Sequence, residues 1–385
     1  MEDVSQFEAI CPYSDEEAAR ALAEMSRHPA VPLISKALFP EEKATFLADA
    51  LKSIHSIDEF QSIIMSKAVD WCLDHTVHNF SYDGVSNLNA IDGKFLMMSN
   101  HRDIILDPAI TQYVLLKNGI PMSEICVGDN LLSEKVVENL LRSNRMIKVI
   151  RGISARELYL SSQLLSKYIR QTITTGKSSV WIAQRQGRTK DGIDITEQGL
   201  LKMFDMSGTG TFVENFEELN IVPLSISYEY EPCDFRKARE ILISRTQKYV
   251  KGPKEDMHSI MTGIRQQKGN VHLNIGVPLT HEEIEAASHC DKNDRYQMIR
   301  HAVDIRVVEG YHLWKTNYVA YDIVNGTTKY SDHYGPEDVE SFKAYTEHRL
   351  RRTERGLDRD ELRKILLGIY ANPVATKEKF KAELD

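Results

Sequence analysis

The sequence predicts an α/β protein with a largely parallel or mixed sheet flanked by helices, a helical amino-terminal region and a helical carboxyl-terminal extension. Two observations favour this fold class. Short apolar runs with the length of buried strands are spread over the middle of the chain. Stretches with helical periodicity lie between several of these runs, and strands that alternate with helices are typical of a largely parallel sheet. In such sheets a site is expected at the carboxyl ends of the strands.

The first region, residues 1–85, is predicted to be helical. Ser14 begins an S-x-x-E pattern, the spacing of a capping box, and Ser56 begins another. Pro40 precedes two glutamates and suits the first turn of a helix, so a further helix is expected to start there. Turn residues at 82–87 indicate a domain boundary after this region.

The second region, residues 86–335, is predicted to be the α/β domain. Its expected strands are 95–99, 125–128, 146–150, 180–183, 221–227 and 272–275, and its clearest helices are 107–117 and 154–175. The third region, residues 336–385, is predicted to be a polar helical extension. It contains a basic run at 349–352 with two interpretations, a solvated helix face or a contact with anionic lipid.

The composition is that of a soluble globular protein and excludes several classes. Of 385 residues, 42% are hydrophobic and 27% are charged, which argues against disorder and against a disulfide scaffold. The net charge of −8 argues against a dedicated nucleic-acid binder but is compatible with a local basic pocket. Five scattered cysteines without a Cys-x-x-Cys pair argue against a zinc ribbon and indicate reduced thiols. With no signal-peptide pattern and no apolar run near the ~20 residues of a membrane-crossing helix, we expect a cytoplasmic protein.

The first candidate site follows the first predicted strand of the α/β domain, where His101 is followed by Asp103 and Asp107. A histidine at a strand end can act as a base, and a nearby carboxylate can orient its ring and stabilise the protonated form. The alternative is a helix start at which the acidic residues serve as caps. This stretch also matches the start of the kinase catalytic loop. Pro108 stands where that loop needs asparagine, which argues against a kinase.

The second candidate site is a basic, glycine-containing stretch at residues 184–190, directly after the strand predicted at 180–183. Glycine lets the backbone approach a phosphate closely, and Arg188 can hold phosphate oxygens with two hydrogen bonds. The alternative is a solvated basic turn. Arg151 follows another predicted strand. Because the carboxyl ends of parallel strands lie at one edge of a sheet, these residues and His101 are expected to share that edge.

Four blocks of the sequence resemble, in order, those of the glycerol-3-phosphate and lysophosphatidic acid acyltransferases. The blocks are Asn100-His101 with Asp107-Pro108, Arg151 at a strand end, residues 181–188, and the Val-Pro strand at 221–224. The third block is similar to the Trp-Ile-Ala-Pro-Ser-Gly-Gly-Arg block of the soluble, plastid-type glycerol-3-phosphate acyltransferases, which the chain resembles most in outline. The resemblance covers roughly residues 90–280.

The resemblance implies an enzyme of phospholipid biosynthesis. It implies an O-acyltransferase that moves a fatty acyl group from acyl-CoA or acyl carrier protein to the hydroxyl of glycerol-3-phosphate or lysophosphatidic acid. His101 would be the general base, oriented by Asp107. The residues it implies for binding the acceptor are Arg151, Gln186, Gly187, Arg188 and Lys190. No cofactor, metal or nucleic acid is expected, since the acyl donor is a co-substrate. Contact with the inner surface of a membrane is a further expectation.

Two departures from the family pattern leave alternatives open. The family has four residues between its His and Asp, whereas five separate His101 from Asp107, so either the turn absorbs the extra residue or Asp103 orients the histidine. Gln186 stands where the common third block has glutamate, and glutamine accepts hydrogen bonds without carrying charge. These departures motivate two other functions: a non-catalytic lipid-binding relative, or an acyltransferase for an amino-acid lipid or another acceptor.

Overall fold

The structure is a computed structural model that describes residues 4–131, 135–151 and 154–384; residues 1–3, 132–134, 152–153 and 385 lie outside the described part. Among the described residues, seven strands form one sheet. They are β1 (Val77–Asp83), β2 (Leu96–Ser99), β3 (Glu124–Gly128), β4 (Met146–Val149), β5 (Val180–Ala183), β6 (Ile221–Tyr228) and β7 (Gly269–Ile275). Their order across the sheet is β1-β7-β6-β2-β5-β3-β4.

Five neighbouring strands of this mixed sheet, β6, β2, β5, β3 and β4, run parallel to one another. β7 is antiparallel to β6, and β1 is parallel to β7. The register places Ser99 at the end of β2 beside Ala183 of β5 and Leu224 of β6. The carboxyl ends of the five parallel strands therefore share one edge, as the alternation of strands and helices predicts. The predicted fold class is confirmed, and so are all six predicted strands.

Helices precede the sheet, connect its strands and follow it. In chain order they are α1 (Asp15–Met25), α2 (Val31–Leu38), α3 (Phe46–Ser53), α4 (Ile57–Glu59), α5 (Ser66–Thr76), α6 (Val85–Asn89), α7 (Leu106–Lys117), α8 (Lys135–Arg142), α9 (Ala155–Thr174), α10 (Gln198–Asp205), α11 (Phe212–Glu217), α12 (Asp234–Ser244), α13 (Glu255–Arg265), α14 (His281–Ser288), α15 (Asp294–Glu309), α16 (Lys315–Asn325), α17 (Pro336–Leu350) and α18 (Arg359–Leu384). A π-helical segment, Phe60–Met65, joins α4 to α5. None of the described helices is both long enough and apolar enough to cross a membrane.

The helix starts show where local sequence signals hold. Ser14 and Ser154 each form a reciprocal capping box with the glutamate three residues later, and the Ser56 side chain accepts the backbone N–H of Glu59. The helix predicted to start at Pro40 is wrong, since α3 begins only at residue 46. The apolar side chains of α3 that pack against the other amino-terminal helices start at residue 46, and their burial determines where this helix begins.

Residues 77–83, predicted to be helical, form β1 instead. β1 lies at the edge of the sheet and pairs with β7, and four of its seven side chains are exposed. The sequence of β1 mixes polar and apolar residues because part of this edge strand faces solvent, so it lacks the short apolar run that predicts the other strands. The helical region therefore ends at Thr76, and β1 ties the segment that follows to the sheet. The division of the chain into three domains stays a prediction.

The core lies on both faces of the sheet, because successive strand residues point to opposite sides. Leu96, Met98 and Ile182 belong to the cluster on one face, and Met97 and Trp181 belong to the cluster on the other. Further apolar clusters join the amino-terminal helices to one another and the carboxyl-terminal helices to α12. All of these strand residues are less than a tenth exposed, so the short predicted strands are confirmed as buried ones.

The carboxyl-terminal extension is helical as predicted, but the arginines of its basic run differ in burial. Arg349 is buried and pairs with Asp234 of α12, with Nη2 2.6 Å from Oδ1. Neither predicted interpretation of the run, a solvated face or a lipid contact, is correct for this residue. Arg351 and Arg352 are exposed.

Candidate active site

The first candidate site is a turn between β2 and α7. The turn brings Nδ1 of His101 to 2.9 Å from Oδ2 of Asp107, the first-turn residue of α7. The His101 side chain is 14% exposed, and that of Asp107 is fully buried. Asp103 instead closes the turn before α7, since its Oδ1 accepts the backbone N–H groups of Ile105 and Leu106. Of the two acidic residues, the geometry brings Asp107 to the histidine.

Both carboxylate oxygens of Asp107 accept hydrogen bonds. Its Oδ2 also accepts the backbone N–H groups of Arg102 (2.6 Å) and Asp103 (2.8 Å), and its Oδ1 accepts the hydroxyl of Tyr228 (2.9 Å). Burial, together with the Asp107 carboxylate, raises the pKa of Tyr228 well above its ordinary value, so this hydroxyl remains a donor. With Oδ2 of Asp107 as the acceptor, Nδ1–H of His101 is the donor, and the lone pair of Nε2 is left to take a proton.

A buried charge network supports the turn from beneath. Nη2 of Arg102 lies 2.7 Å from Oδ2 of Asp194, and Nη1 lies 3.4 Å from Oε2 of Glu231. Glu231 pairs in turn with Lys237 at 2.5 Å, and Lys237 donates to the main-chain oxygen of Arg102 at 2.6 Å. Burial by itself would lower the pKa of Arg102, but the two carboxylates outweigh it and the pKa lies well above its ordinary value. Buried ions are stable only when they are paired, so these side chains have fixed positions. Lys237 thereby holds the main chain of Arg102, directly beside His101.

Asp194 connects this network to the neighbouring strands. It accepts hydrogen bonds from the side chains of Asn100 (3.0 Å), Thr189 (2.5 Å) and Tyr311 (2.8 Å). Burial would raise its pKa, but Arg102 and these hydrogen bonds hold the pKa below its ordinary value. Asn100 also exchanges two hydrogen bonds with the backbone of β6. The polar residue before the histidine therefore joins the ends of two strands.

The second candidate site lies in the loop between β5 and α10, residues 184–197, and this loop touches the histidine turn. The backbone N–H of Thr189 donates to the main-chain oxygen of His101 at 2.7 Å. Gly192 has a φ of +81°, and a Cβ there would lie 2.3 Å from the main-chain oxygen of Ile369 in α18. Only glycine fits this left-handed conformation and close approach. The loop is therefore packed between the histidine turn and the carboxyl-terminal helix.

The loop lines a basic pocket, formed by residues 185–188, 190–191, 240–241 and 244–245. Nε of Arg185 and Nη1 of Arg188 are buried without a hydrogen-bond partner among the described residues. Lys190 is paired with Glu240 and is less free to bind a ligand. Gly187, with a φ of +75°, has open space where a side chain would stand. Arg185 and Arg188 in the lining are a physical reason to expect an anion in this pocket.

Arg151 lies apart from the basic pocket. It follows β4 at the same sheet edge, but β3 separates β4 from β5, and Arg151 is absent from the pocket lining. Burial lowers its pKa, and the carboxylates of Asp129, Glu197 and Asp256 act in the opposite direction. Its predicted role in binding the acceptor phosphate with Arg188 stays a prediction.

Sequence reasoning missed the residues that support the pair. Tyr228 is the last residue of β6, so the strand-end rule could have found it. Asp194 and Lys237 carry no local signal, because their partner Arg102 lies 92 and 135 positions away in the chain. The part of the chain that the structure describes holds no group of three or more His, Cys, Asp or Glu side chains placed to bind a metal ion.

The fold and the site together define an α/β protein with a His–Asp pair and a basic loop at the carboxyl edge of a mixed sheet. No family model matches the chain, and no curated protein matches it. Among solved structures it is similar to the 1-acyl-sn-glycerophosphate (LPA) acyltransferase PlsC from Thermotoga maritima, with 13% identity and a TM-score of 0.39 over 76% of this chain and 94% of that chain. That enzyme bears the name of a family that the sequence blocks resemble. The case for a function comes from the side chains of the site.

Proposed function

We propose that the chain is an O-acyltransferase that moves a fatty acyl group from acyl-CoA or acyl carrier protein to a glycerol phosphate acceptor, either glycerol-3-phosphate or lysophosphatidic acid. The observation that carries the proposal is the 2.9 Å contact between His101 and Asp107, in a turn that is hydrogen-bonded to the loop of the basic pocket. Arg185 and Arg188 of that loop each have one buried nitrogen without a hydrogen-bond partner among the described residues. A base beside an anion-binding group suits a reaction in which a phosphorylated alcohol loses its hydroxyl proton.

The chemistry needs no nucleophile from the protein. Nε2 of His101 takes the proton of the acceptor hydroxyl as that oxygen attacks the thioester carbonyl, and Asp107 stabilises the imidazolium that forms. The tetrahedral intermediate collapses with cleavage of the C–S bond, and the imidazolium returns its proton to the leaving thiolate. The products are an ester and a free thiol, so atoms and charges balance.

The basic pocket would hold the acceptor phosphate. The buried donors of Arg185 and Arg188 have no partner among the described residues, and a phosphate oxygen would satisfy them. Binding the phosphate also limits the position of the acceptor hydroxyl a few bonds away. Part of the binding energy is thereby used to orient that hydroxyl toward the thioester carbonyl. The exposed amide of Gln186, at the rim of this pocket, can hydrogen-bond a neutral hydroxyl without adding charge.

The proposal is tested by thiol release from acyl-CoA with purified protein and a panel of acceptors. Wild type is expected to release thiol with glycerol-3-phosphate or lysophosphatidic acid and far more slowly with glycerol, which lacks the phosphate. His101→Ala is expected to lower kcat by roughly 10²–10⁴-fold, the usual contribution of a general base. His55→Ala removes an exposed histidine of the amino-terminal helices and serves as the matched control.

Two results would contradict the proposal. Thiol release by His101→Ala within a few-fold of wild type, with circular dichroism unchanged, would place the base elsewhere. Absence of release by wild type with every donor and acceptor, including acyl carrier protein and amino-acid lipids, would favour a non-catalytic lipid-binding protein.

A further inference from the structure

Two exposed segments form one basic surface, which we call the basic face. They are the loop between α12 and α13 and the turn between α17 and α18. The basic residues of this face are Lys248, Lys251, Lys254, Arg351, Arg352 and Arg355, all exposed. Arg239 joins the two segments, since Nη1 bonds the Tyr249 hydroxyl at 3.2 Å and Nη2 lies 2.9 Å from Glu354. A second ion pair joins Arg245, at the start of the first segment, to Glu361 in the first turn of α18 at 3.0 Å.

The two segments, residues 245–254 and 351–358, carry seven basic and two acidic side chains. Lys251 pairs with Asp256 at 2.6 Å. The other five basic side chains of the basic face form no ion pair with any part of the chain that the structure describes. The whole chain carries a net charge of −8, so the charge of this face is opposite in sign to that of the protein as a whole. Clustered like charges repel one another, and an anionic partner would remove that repulsion.

An apolar side chain projects from the middle of the charges. Val250, next to Lys251, is 78% exposed, a larger fraction than for any other large apolar residue in the described ranges. Met257, in the first turn of α13, is also exposed. Lysines flanking a projecting apolar residue match the interface of a bilayer, where the apolar group enters the headgroup region and the cations meet lipid phosphates.

The basic face adjoins the basic pocket. Ser244 and Arg245, which line the pocket together with Arg188, stand at the end of α12 where the loop of the basic face begins. A bilayer against this face would therefore lie beside the pocket opening.

We propose that the basic face docks on an anionic lipid bilayer, with Val250 entering the headgroup region. Docking would present the basic pocket to an acceptor that resides in the membrane; this last step rests on the proposed function, whereas the docking itself does not. An acidic carrier protein is the competing partner for a basic surface. The bilayer is favoured because the exposed apolar part of the face is small, Val250 and Met257, whereas a stable protein interface has a larger apolar core.

The test is co-sedimentation of the full chain with vesicles of phosphatidylcholine, with and without phosphatidylglycerol, in the absence of any acyl donor. Wild type is expected to bind the anionic vesicles in preference and to lose binding as salt rises. The variant Lys248→Gln, Lys254→Gln, Arg352→Gln should bind about a hundredfold more weakly, roughly fivefold for each charge lost. The control variant Lys36→Gln, Lys43→Gln, Lys52→Gln removes three exposed charges from the amino-terminal helices and should bind like wild type.

A second pair of variants tests insertion. Val250→Ser should weaken vesicle binding several-fold, whereas Leu33→Ser, at a residue 73% exposed on α2, should not. Equal binding of wild type to neutral and anionic vesicles would overturn the proposal, and so would equal loss in the charge variant and its control. Binding to acyl carrier protein without binding to anionic vesicles would assign the face to a protein. None of these binding measurements depends on acyl transfer. They would therefore still test the docking proposal if the wild-type protein proved to be catalytically inactive.

Discussion

The His101 imidazole has one nitrogen engaged and one open, and that asymmetry underlies the proposed chemistry. Asp107 holds Nδ1, while the turn is fixed by backbone N–H groups that the same carboxylate accepts. Removing the charge of Asp107 would therefore disturb both the protonated imidazole and the turn. Asp103, only four residues away, has a different role because its oxygen faces the start of α7.

Asp107→Asn is expected to lower kcat by well over tenfold, and Asp103→Asn by much less. The amide keeps the shape of the side chain but removes the charge that stabilises the imidazolium. In Asp103→Asn the remaining oxygen can still accept the N–H of Leu106. Steady-state kinetics of both variants with acyl-CoA and glycerol-3-phosphate provide the comparison. The opposite ranking would make Asp103 the functional partner of His101.

Arg188→Ala is expected to raise the KM for the phosphorylated acceptor by roughly tenfold to a hundredfold, which corresponds to the loss of a charge-assisted hydrogen bond. The KM for the acyl donor should change far less. Arg151→Ala should have a smaller effect on the acceptor KM, because three carboxylates compete with any ligand for its charge. If the two variants show equal and large acceptor effects, both arginines bind the phosphate; if neither does, Arg185 is the next residue to vary.

At the scale of elements, the loop between β5 and α10 is held at several points by buried polar groups. Asp194 ties it to Arg102, and the N–H of Thr196 donates to Asp304 of α15 at 2.9 Å. The loop is thereby anchored to the turn that carries His101 on one side and to α15 on the other. A pocket built on a loop needs such anchors, because loop residues otherwise move relative to the catalytic turn.

The anchor at Asp304 predicts a pH dependence of stability. Burial raises the pKa of Asp304 to about 6, so the folded state holds this proton to higher pH than the unfolded chain does. Its contribution to stability is therefore greatest below about pH 4 and is lost as pH rises through about 6. Asp304→Asn keeps an acceptor for Thr196 and cannot ionise. The free energy of unfolding of this variant, relative to wild type, should rise by about 2–3 kcal/mol between pH 4 and pH 7.

Urea denaturation of wild type and Asp304→Asn at the two pH values measures that difference. Comparing the two proteins cancels the titration of all other groups, since they are common to both. A stability difference that stays constant with pH would show that Asp304 is already ionised in the folded protein across this range.

At the scale of the whole molecule, the carboxyl-terminal helices are part of the structure that supports the site. Gly192 of the pocket loop packs against α18, and Asn372 of α18 donates to the main-chain oxygen of Asp191 at 2.7 Å. α17 is tied to α12 through Arg349 and Asp234. The region predicted as an extension therefore supports the loop that carries the basic pocket.

Arg349→Ala is expected to lower the free energy of unfolding by about 3–5 kcal/mol, because it leaves Asp234 buried without its cation. The hydroxyls of Tyr345 and Tyr370 still donate to Asp234 but carry no charge. Arg359→Ala is the control, since it breaks only an exposed pair with Glu347 and should change stability by about 1 kcal/mol or less. Equal effects in urea denaturation would mean that the buried pair contributes no more than a surface pair.

Local rules predicted much of the fold and part of the site. The six strands β2 to β7 follow from their short apolar runs, and the caps at Ser14, Ser56 and Ser154 follow from a spacing of three residues. The strand-end rule located His101 and Arg188, because the alternation of strands and helices determines at which edge the loops lie. These features are predictable because their cause lies within a few residues of the chain.

Only the tertiary structure decided the rest. The edge strand β1, the start of α3 and the buried position of Arg349 depend on which surfaces are covered by segments far away in the chain. The choice of Asp107 over Asp103 depends on a turn whose shape is set by Lys237 and Asp194 from beneath. Burial and the pairing of buried charges are properties of the packed molecule. The pattern along the chain therefore determines the helices and strands and the sheet edge at which the site lies. It does not determine which residues hold each side chain of the site in place.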